Sequence, residues 1–265
     1  MKKIILSACA LSAMFLTSCS NEVDMFETIG TPKATIELNI SNDKEMQVAT
    51  RATQQVSDNS TWFATLDTES QCKVSELINR TYTPGSYNLK VSNYANLGEA
   101  LKAYEGAGDM YFEGAKSINL EKGTNTITMD CGTAKNAKLT VNWSGTSGVT
   151  GLKMTNVKAK QTSRDEYTYN SAGTDQSAYF KADEDITCTI NYIYNNESKT
   201  LNKTFSSPAA ATEYKLNVSA NTNGTITTIT INYDKDFANG GGTSITIDAA
   251  TGNKIDEVET PPSAE

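Results

Sequence analysis

The chain has 265 residues, with 23 Lys and Arg against 31 Asp and Glu, and it contains no histidine. The missing His excludes a Ser-His-Asp triad, a Cys-His pair and a His-ligated zinc site. The net charge of −8 argues against a nucleic-acid partner, which requires a basic stripe.

Met1-Lys2-Lys3 is a short cationic start, and Ile4 to Leu16 is an apolar run too short to span a bilayer. Residues 1–18 therefore read as a secretory signal. Leu16-Thr17-Ser18-Cys19 resembles a bacterial lipobox, which implies cleavage before Cys19 and a lipid on its sulfur. Outer-membrane lipid is then the first expected partner, and no transmembrane helix is needed. Residues 19–32 read as a tether, with Glu22 and Asp24 making its start acidic.

From Lys33 onward the pattern alternates with period two, which predicts half-buried strands. Ala34, Ile36, Leu38 and Ile40 share one face. Polar residues 42–59 follow and contain the pair Arg51-Ala52. Further alternating sets are Trp62/Ala64/Leu66, Tyr87/Leu89/Val91, Ile127/Met129/Cys131 and Ala137/Leu139/Val141/Trp143. Then come Ile186/Cys188/Ile190/Tyr192/Tyr194, Tyr214/Leu216/Val218, Ile229/Ile231/Tyr233 and Ile245/Ile247. Turn signals such as Pro84-Gly85, Lys122-Gly123 and Asn195-Asn196 separate them. Helical pattern is confined to Val74–Ile78 and Leu97–Tyr104.

Many short strands with regular turns predict an all-β chain of antiparallel sandwiches. Tyr87–Ser92 returns as Tyr214–Ser219, each followed by a Gly-Thr turn and an Ile/Thr strand, which suggests two domains of related plan. The first copy carries an extra stretch, Asn93 to Ser117. The boundary falls near Gly132-Thr133-Ala134, giving domains at 33–133 and 134–250 and a flexible acidic tail at 251–265.

Of five cysteines, Cys9 leaves with the signal and Cys19 carries lipid. Cys72, Cys131 and Cys188 have no C-x-x-C spacing, so buried free thiols or a single disulfide are the two readings. Asp234, Asp236 and Asn239 beside Gly240-Gly241-Gly242 lack EF-hand spacing, and Asp183-Glu184-Asp185 reads as a solvated turn. Gly145-Thr146-Ser147-Gly148 lacks the Lys-Ser/Thr of a phosphate loop. No catalytic residue, metal site or cofactor is expected.

Several segments in order then resemble a known family. They are the lipobox, Ala34–Ile40, Ala49-Thr50-Arg51-Ala52, Tyr82-Thr83-Pro84-Gly85-Ser86-Tyr87, Tyr111-Phe112-Glu113-Gly114, Cys131 and Lys138–Trp143. Together they resemble the fimbrillin-like cell-surface lipoproteins of Bacteroidales, in a branch labelled a domain of unknown function. The acidic start of the tether resembles the export tag of such surface lipoproteins.

The resemblance implies two tandem transthyretin-like β-sandwich domains with Greek-key connections, outer-membrane anchoring and exposure at the cell surface. It also implies cleavage between Arg51 and Ala52, loss of the strand carrying Ala34, Ile36, Leu38 and Ile40, and its replacement by a strand from a homologous fimbrial subunit. Candidate donor strands are Thr243–Asp248 and Lys254–Val258. The competing expectation is a monomeric surface lipoprotein that binds a glycan or another host or bacterial surface ligand for an uptake system.

Overall fold

The structure is a computed structural model that describes residues 32–41, 61–145, 148–171, 176–223, 226–236 and 241–260. Cys19, the signal and tether segments, Arg51 and Ala52 lie outside the described residues. The chain is almost entirely β, as the alternation predicts, and Lys33–Glu265 forms one compact unit.

The first lobe begins with β1 (Ala34–Ser41), β2 (Phe63–Leu66) and β3 (Cys72–Lys73). The single turn α1 (Val74–Leu77) and strand β4 (Gly85–Ser92) follow. An excursion containing α2 (Leu97–Lys102) and a 3-10 turn at Tyr104–Gly106 leads to β5 (Glu113–Leu120) and β6 (Gly123–Asp130). Both helical segments fall where the sequence places them. α2 is capped by Asn96, whose Oδ1 accepts from Glu99 N at 3.0 Å.

Strands β3-β2-β4-β5 form one sheet, and β1 pairs with β6 in a separate two-stranded parallel sheet. A close approach joins β5 to the end of β6. A Cβ on Gly114 would lie 2.7 Å from the Asp130 carbonyl and 2.8 Å from Cys131 Sγ, so only glycine fits there.

The second lobe contains β7 (Asn136–Ser144), β8 (Leu152–Gln161), β9 (Arg164–Asn170), β10 (Gln176–Lys181) and β11 (Ile186–Tyr194). It continues with β12 (Glu197–Phe205), β13 (Glu213–Asn223), β14 (Ile226–Asp236), β15 (Gly241–Asp248) and β16 (Lys254–Thr260). Its sheets run β10-β7-β13-β14-β15-β16 and β12-β11-β8-β9. β7 and β13 pair in parallel, and the other ladders of this lobe are antiparallel.

Two buried apolar clusters hold these layers. One contains Ala34, Ile36, Trp62, Leu66, Leu89 and Met129, and the other Leu139, Val157, Tyr169, Phe180, Ile190 and Leu216. They draw on residues before and after the Gly132-Thr133-Ala134 segment respectively. Ala34, Ile36, Trp62, Leu66, Leu89, Met129, Leu139, Ile190 and Leu216 are inward as the period-two pattern selects, while Val157, Tyr169 and Phe180 lie on strands that the pattern leaves unmarked.

The repeat does not survive as topology. β4 pairs with β2 and β5, whereas β13 pairs with β7 and β14. β6, which follows the first copy, pairs with β1, so the two segments share a sequence pattern and not a position in the sheet. The segment 251–265 also differs from the expected tail. Residues Lys254–Thr260 form β16, held by its ladder to β15 across a bulge. Its polar composition conceals it, because an edge strand buries little.

Candidate functional site

The candidate site is β1 and the groove it fills. The register runs from Ala34 opposite Gly123 to Ser41 opposite Asp130. At one end Gly123 N donates to Lys33 O at 3.0 Å, and at the other Cys131 N donates to Ser41 O at 2.7 Å. Ala34 also exchanges two 2.8 Å backbone bonds with Tyr82. Among the described residues, β6 is the only strand that forms a ladder with β1.

Side chains divide by parity, as the pattern requires. Ala34 and Ile36 are buried, while Leu38 and Ile40 are partly buried against the same cluster. The opposite face is polar. Thr35 Oγ1 lies 3.3 Å from Thr124 Oγ1, and Thr126 Oγ1 donates to Glu37 Oε2 at 3.1 Å. Asn125 Nδ2 adds a bond to Thr35 O at 3.2 Å.

Tyr82 shapes one end of the groove. Its hydroxyl donates to Leu77 O at 2.9 Å, and its ring meets Tyr87 edge to face at 6.3 Å. Burial pushes its hydroxyl pKa up to about 12, so it stays a neutral donor.

The two candidate donor strands occupy different places. β15 lies between β14 and β16, with Ile247 buried, so it is committed to its own sheet. β16 is the outer strand of that sheet, and Ile255 and Val258 on it are 54 % and 49 % exposed. β12, an edge of the facing sheet, carries Lys199 and Lys203 on its inward side, opposite Tyr192 and Cys188. Inward lysines discourage edge-to-edge pairing.

The remaining sequence candidates take structural roles. Glu184 Oε1 accepts from Ser163 N at 2.7 Å, and Asp185 Oδ1 accepts from Ser207 N at 2.9 Å. Both carboxylates therefore brace turns. Among the described residues no group of three His, Cys, Asp or Glu could hold a metal. Trp62 is buried in the first cluster, and Trp143 packs half-buried against the second.

Cys72, Cys131 and Cys188 are free thiols, not bridged. Burial raises the Cys131 thiol to about 11 and the Cys188 thiol to about 12, while Cys72 is only half-buried. Since the thiolate is the nucleophile, native protein exposed to iodoacetamide near neutral pH should be labelled at Cys72 far faster than at the other two. Mass mapping checks this, and equal labelling of Cys188 before unfolding would contradict the packing described.

A contact set that no sequence signal marks joins the two lobes. Asn136 is fully buried; its Oδ1 accepts from Tyr111 N at 3.1 Å and its Nδ2 donates to Asp109 O at 2.7 Å. Tyr179 N on edge strand β10 donates to Ala107 O at 2.8 Å. Arg164 Nη2 donates to Gly106 O while its guanidinium sits 4.3 Å from the Phe180 ring centroid. The extra stretch in the first lobe thus covers an edge strand of the second and bolts the lobes together.

A comparison with curated proteins found no match. Among solved structures, the chain is similar to a candidate cell adhesion protein from Bacteroides ovatus, at 13% identity, TM-score 0.40, covering 75% of this chain and 95% of that one. It is similar to a candidate adhesin from Bacteroides thetaiotaomicron, at 8% identity, TM-score 0.40, covering 77% and 97%. It is also similar to a fimbrial assembly protein from Parabacteroides distasonis, at 10% identity, TM-score 0.40, covering 75% and 94%. At these scores the likenesses decide no functional question. Residues 31–262 match the model of a family described as a domain of unknown function, DUF4493, and the chain belongs to that family.

Proposed function

We propose that this protein is a lipid-anchored cell-surface protein of structural or adhesive, fimbrillin-like type. Its anchor is Cys19, and its assembly proceeds by strand exchange after cleavage between Arg51 and Ala52. The observation that supports this most directly is β1, a parallel strand that inserts alternating apolar side chains and has a single ladder partner among the described residues.

Removal of such a strand exposes the backbone groups of β6 that faced it, together with the seats of Ala34 and Ile36. An incoming strand satisfies both needs at once, which is β-augmentation. Of the two candidate donors, β16 is the one that lies at a sheet edge, whereas β15 is paired on both sides. The reading agrees with the names of the structural neighbours and does not rest on them. The proposed work is done by backbone hydrogen bonds and apolar side chains, so it needs no histidine.

The test is the N-terminal residue of the protein on intact cells, read by mass spectrometry. An N-terminus at Ala52 together with laddered oligomers that resist mild heating is the expected result. A monomer bearing only lipidated Cys19 would refute assembly. In parallel, Cys19→Ala should move the protein out of the membrane fraction; retention there would refute the anchor.

A further inference from the structure

The second lobe ends its two sheets on β9, β10, β12 and β16. A bare edge invites pairing with another chain, and charged side chains along it discourage that pairing. β9 carries Arg164, Asp165 and Glu166, and β12 carries Glu197, Lys199 and Lys203. β16 carries Lys254, Asp256, Glu257 and Glu259. β10 reads Gln-Ser-Ala-Tyr-Phe-Lys, with its one charge at the last position, Lys181. By composition it is the edge of this lobe most open to association.

Its outward backbone groups are occupied instead. Tyr179 N donates to Ala107 O at 2.8 Å. Lys181 N donates to Gln161 Oε1 at 2.9 Å, and Lys181 O accepts from Gln161 Nε2 at 2.8 Å. The buried Gln161 carboxamide thus makes the pair of bonds that a neighbouring strand would make. Gln161 belongs to the second lobe itself. Ala107 belongs to the excursion of the first lobe, so its contact depends on that segment staying docked.

The docked segment is under strain. Tyr104, Glu105, Gly106 and Gly108 have φ of 49°, 57°, 87° and 80°. Left-handed backbone is unfavourable for the two residues that are not glycine, and such strain persists only where its surroundings enforce it. Arg164 supplies part of that enforcement by donating from Nη2 to Gly106 O. Nη1 of the same buried guanidinium has no hydrogen-bond partner among the described residues. A buried cation left partly unsatisfied offsets much of what its one bond contributes. The closed arrangement is therefore less stable than its contacts alone suggest.

We propose that residues Tyr104–Gly108 are an autoinhibitory guard on β10, which when lifted frees this strand to pair antiparallel with β10 of a second copy. The occupant follows from the strand. Five of its six residues are uncharged, so two copies meet without the repulsion that two β16 edges would impose. Antiparallel pairing of a strand with itself is isologous and closes as a two-fold dimer. The guard takes the place of the charges that protect the other edges. This goes beyond the anchoring and strand-exchange reading and is independent of it, because β1 lies in the other lobe.

The test is the mass of the purified protein by light scattering after size exclusion, with intact mass confirming that β1 is retained and strand exchange is excluded. The wild type should be a monomer. In Gly108→Val a Cβ would lie 3.2 Å from Tyr179 Cβ and 3.3 Å from Leu101 Cα, at a φ that valine does not tolerate. This variant should lift the guard and run at twice the monomer mass. Adding Tyr179→Pro removes the outward N–H, which an edge strand tolerates, and should restore the monomer. Arg164→Met frees the Gly106 carbonyl without inserting an atom into the joint, and should also raise the dimer fraction, so the test does not depend on Gly108→Val folding. Circular dichroism identifies the folded variants. A wild type that is already dimeric overturns the proposal. So do folded variants that stay monomeric, or a dimer that survives Tyr179→Pro.

Discussion

A chain that begins at Ala52 should melt far below the full-length protein and should regain its stability when a peptide spanning Lys33–Ser41 is added. The deleted segment supplies fully buried Ala34 and nearly buried Ile36, with Leu38 and Ile40 half-covered beside them. Burial of one Ile side chain contributes about 1.5–3 kcal/mol. With the partial contributions of Leu38 and Ile40, the first lobe should lose about 5 kcal/mol, a large fraction of ordinary domain stability. Trp62, 2 % exposed in the same cluster, provides a fluorescence reading of the change. A control peptide carrying Ile36→Asp and Leu38→Asp should not rescue, since its apolar face is gone. Equal melting of the truncated and intact chains would show that β1 contributes nothing to the groove and would remove the physical basis for exchange.

The second large effect is expected at Asn136. Asn136→Leu keeps the volume but leaves Tyr111 N and Asp109 O without their partners. An unsatisfied buried polar group costs about 1–3 kcal/mol. With both partners stranded the loss should reach about 2–4 kcal/mol, or about 5–10 °C in thermal midpoint for a unit of this size. Because the contact spans the lobes, the variant should also separate their unfolding into two calorimetric transitions. A midpoint within about 1 °C of wild type, with one transition, would mean that the inter-lobe bonds carry no load.

The sequence is legible where one face is apolar and the other polar. Ala137, Leu139 and Val141 are fully buried, and Lys138 between them pairs on the polar side with the buried Glu213 carboxylate at 3.2 Å. Ala34 and Ile36 follow the same rule. β8 escaped detection because its phase slips: Tyr192 pairs with Met154 and Asn191 with Asn156, so Thr155 is skipped and the apolar parity changes before Val157. β12 and β16 were faint because edge strands have little to hide. Parallel pairing of β1 with β6 and of β7 with β13 could not be read, since alternation reports which face is buried and not which neighbour lies alongside.

Of the candidate site, the strand was legible and its surroundings were not. Tyr82 reads as part of a turn, yet it exchanges backbone bonds with Ala34 and closes one end of the groove. Asn136 looks like one polar residue before a strand, and its role depends on Asp109 and Tyr111, distant in sequence. Tyr104 looks like the last apolar residue of a short helix, but the helix ends at Lys102 and the tyrosine turns outward.

The ladder between β1 and β6 also orders events in time. Thr35 and Thr124, neighbours in that ladder, are 89 residues apart in the chain. Closing so long a loop is entropically expensive before any contact rewards it, and non-local strand pairing is correspondingly slow. β2, β4 and β5 can associate over shorter separations and assemble the opposing sheet first. β1 must wait until β6 has emerged and folded back, so it docks late onto a surface already formed. A strand that arrives late leaves, in the interval, an open seat that any chain of matching pattern can contest.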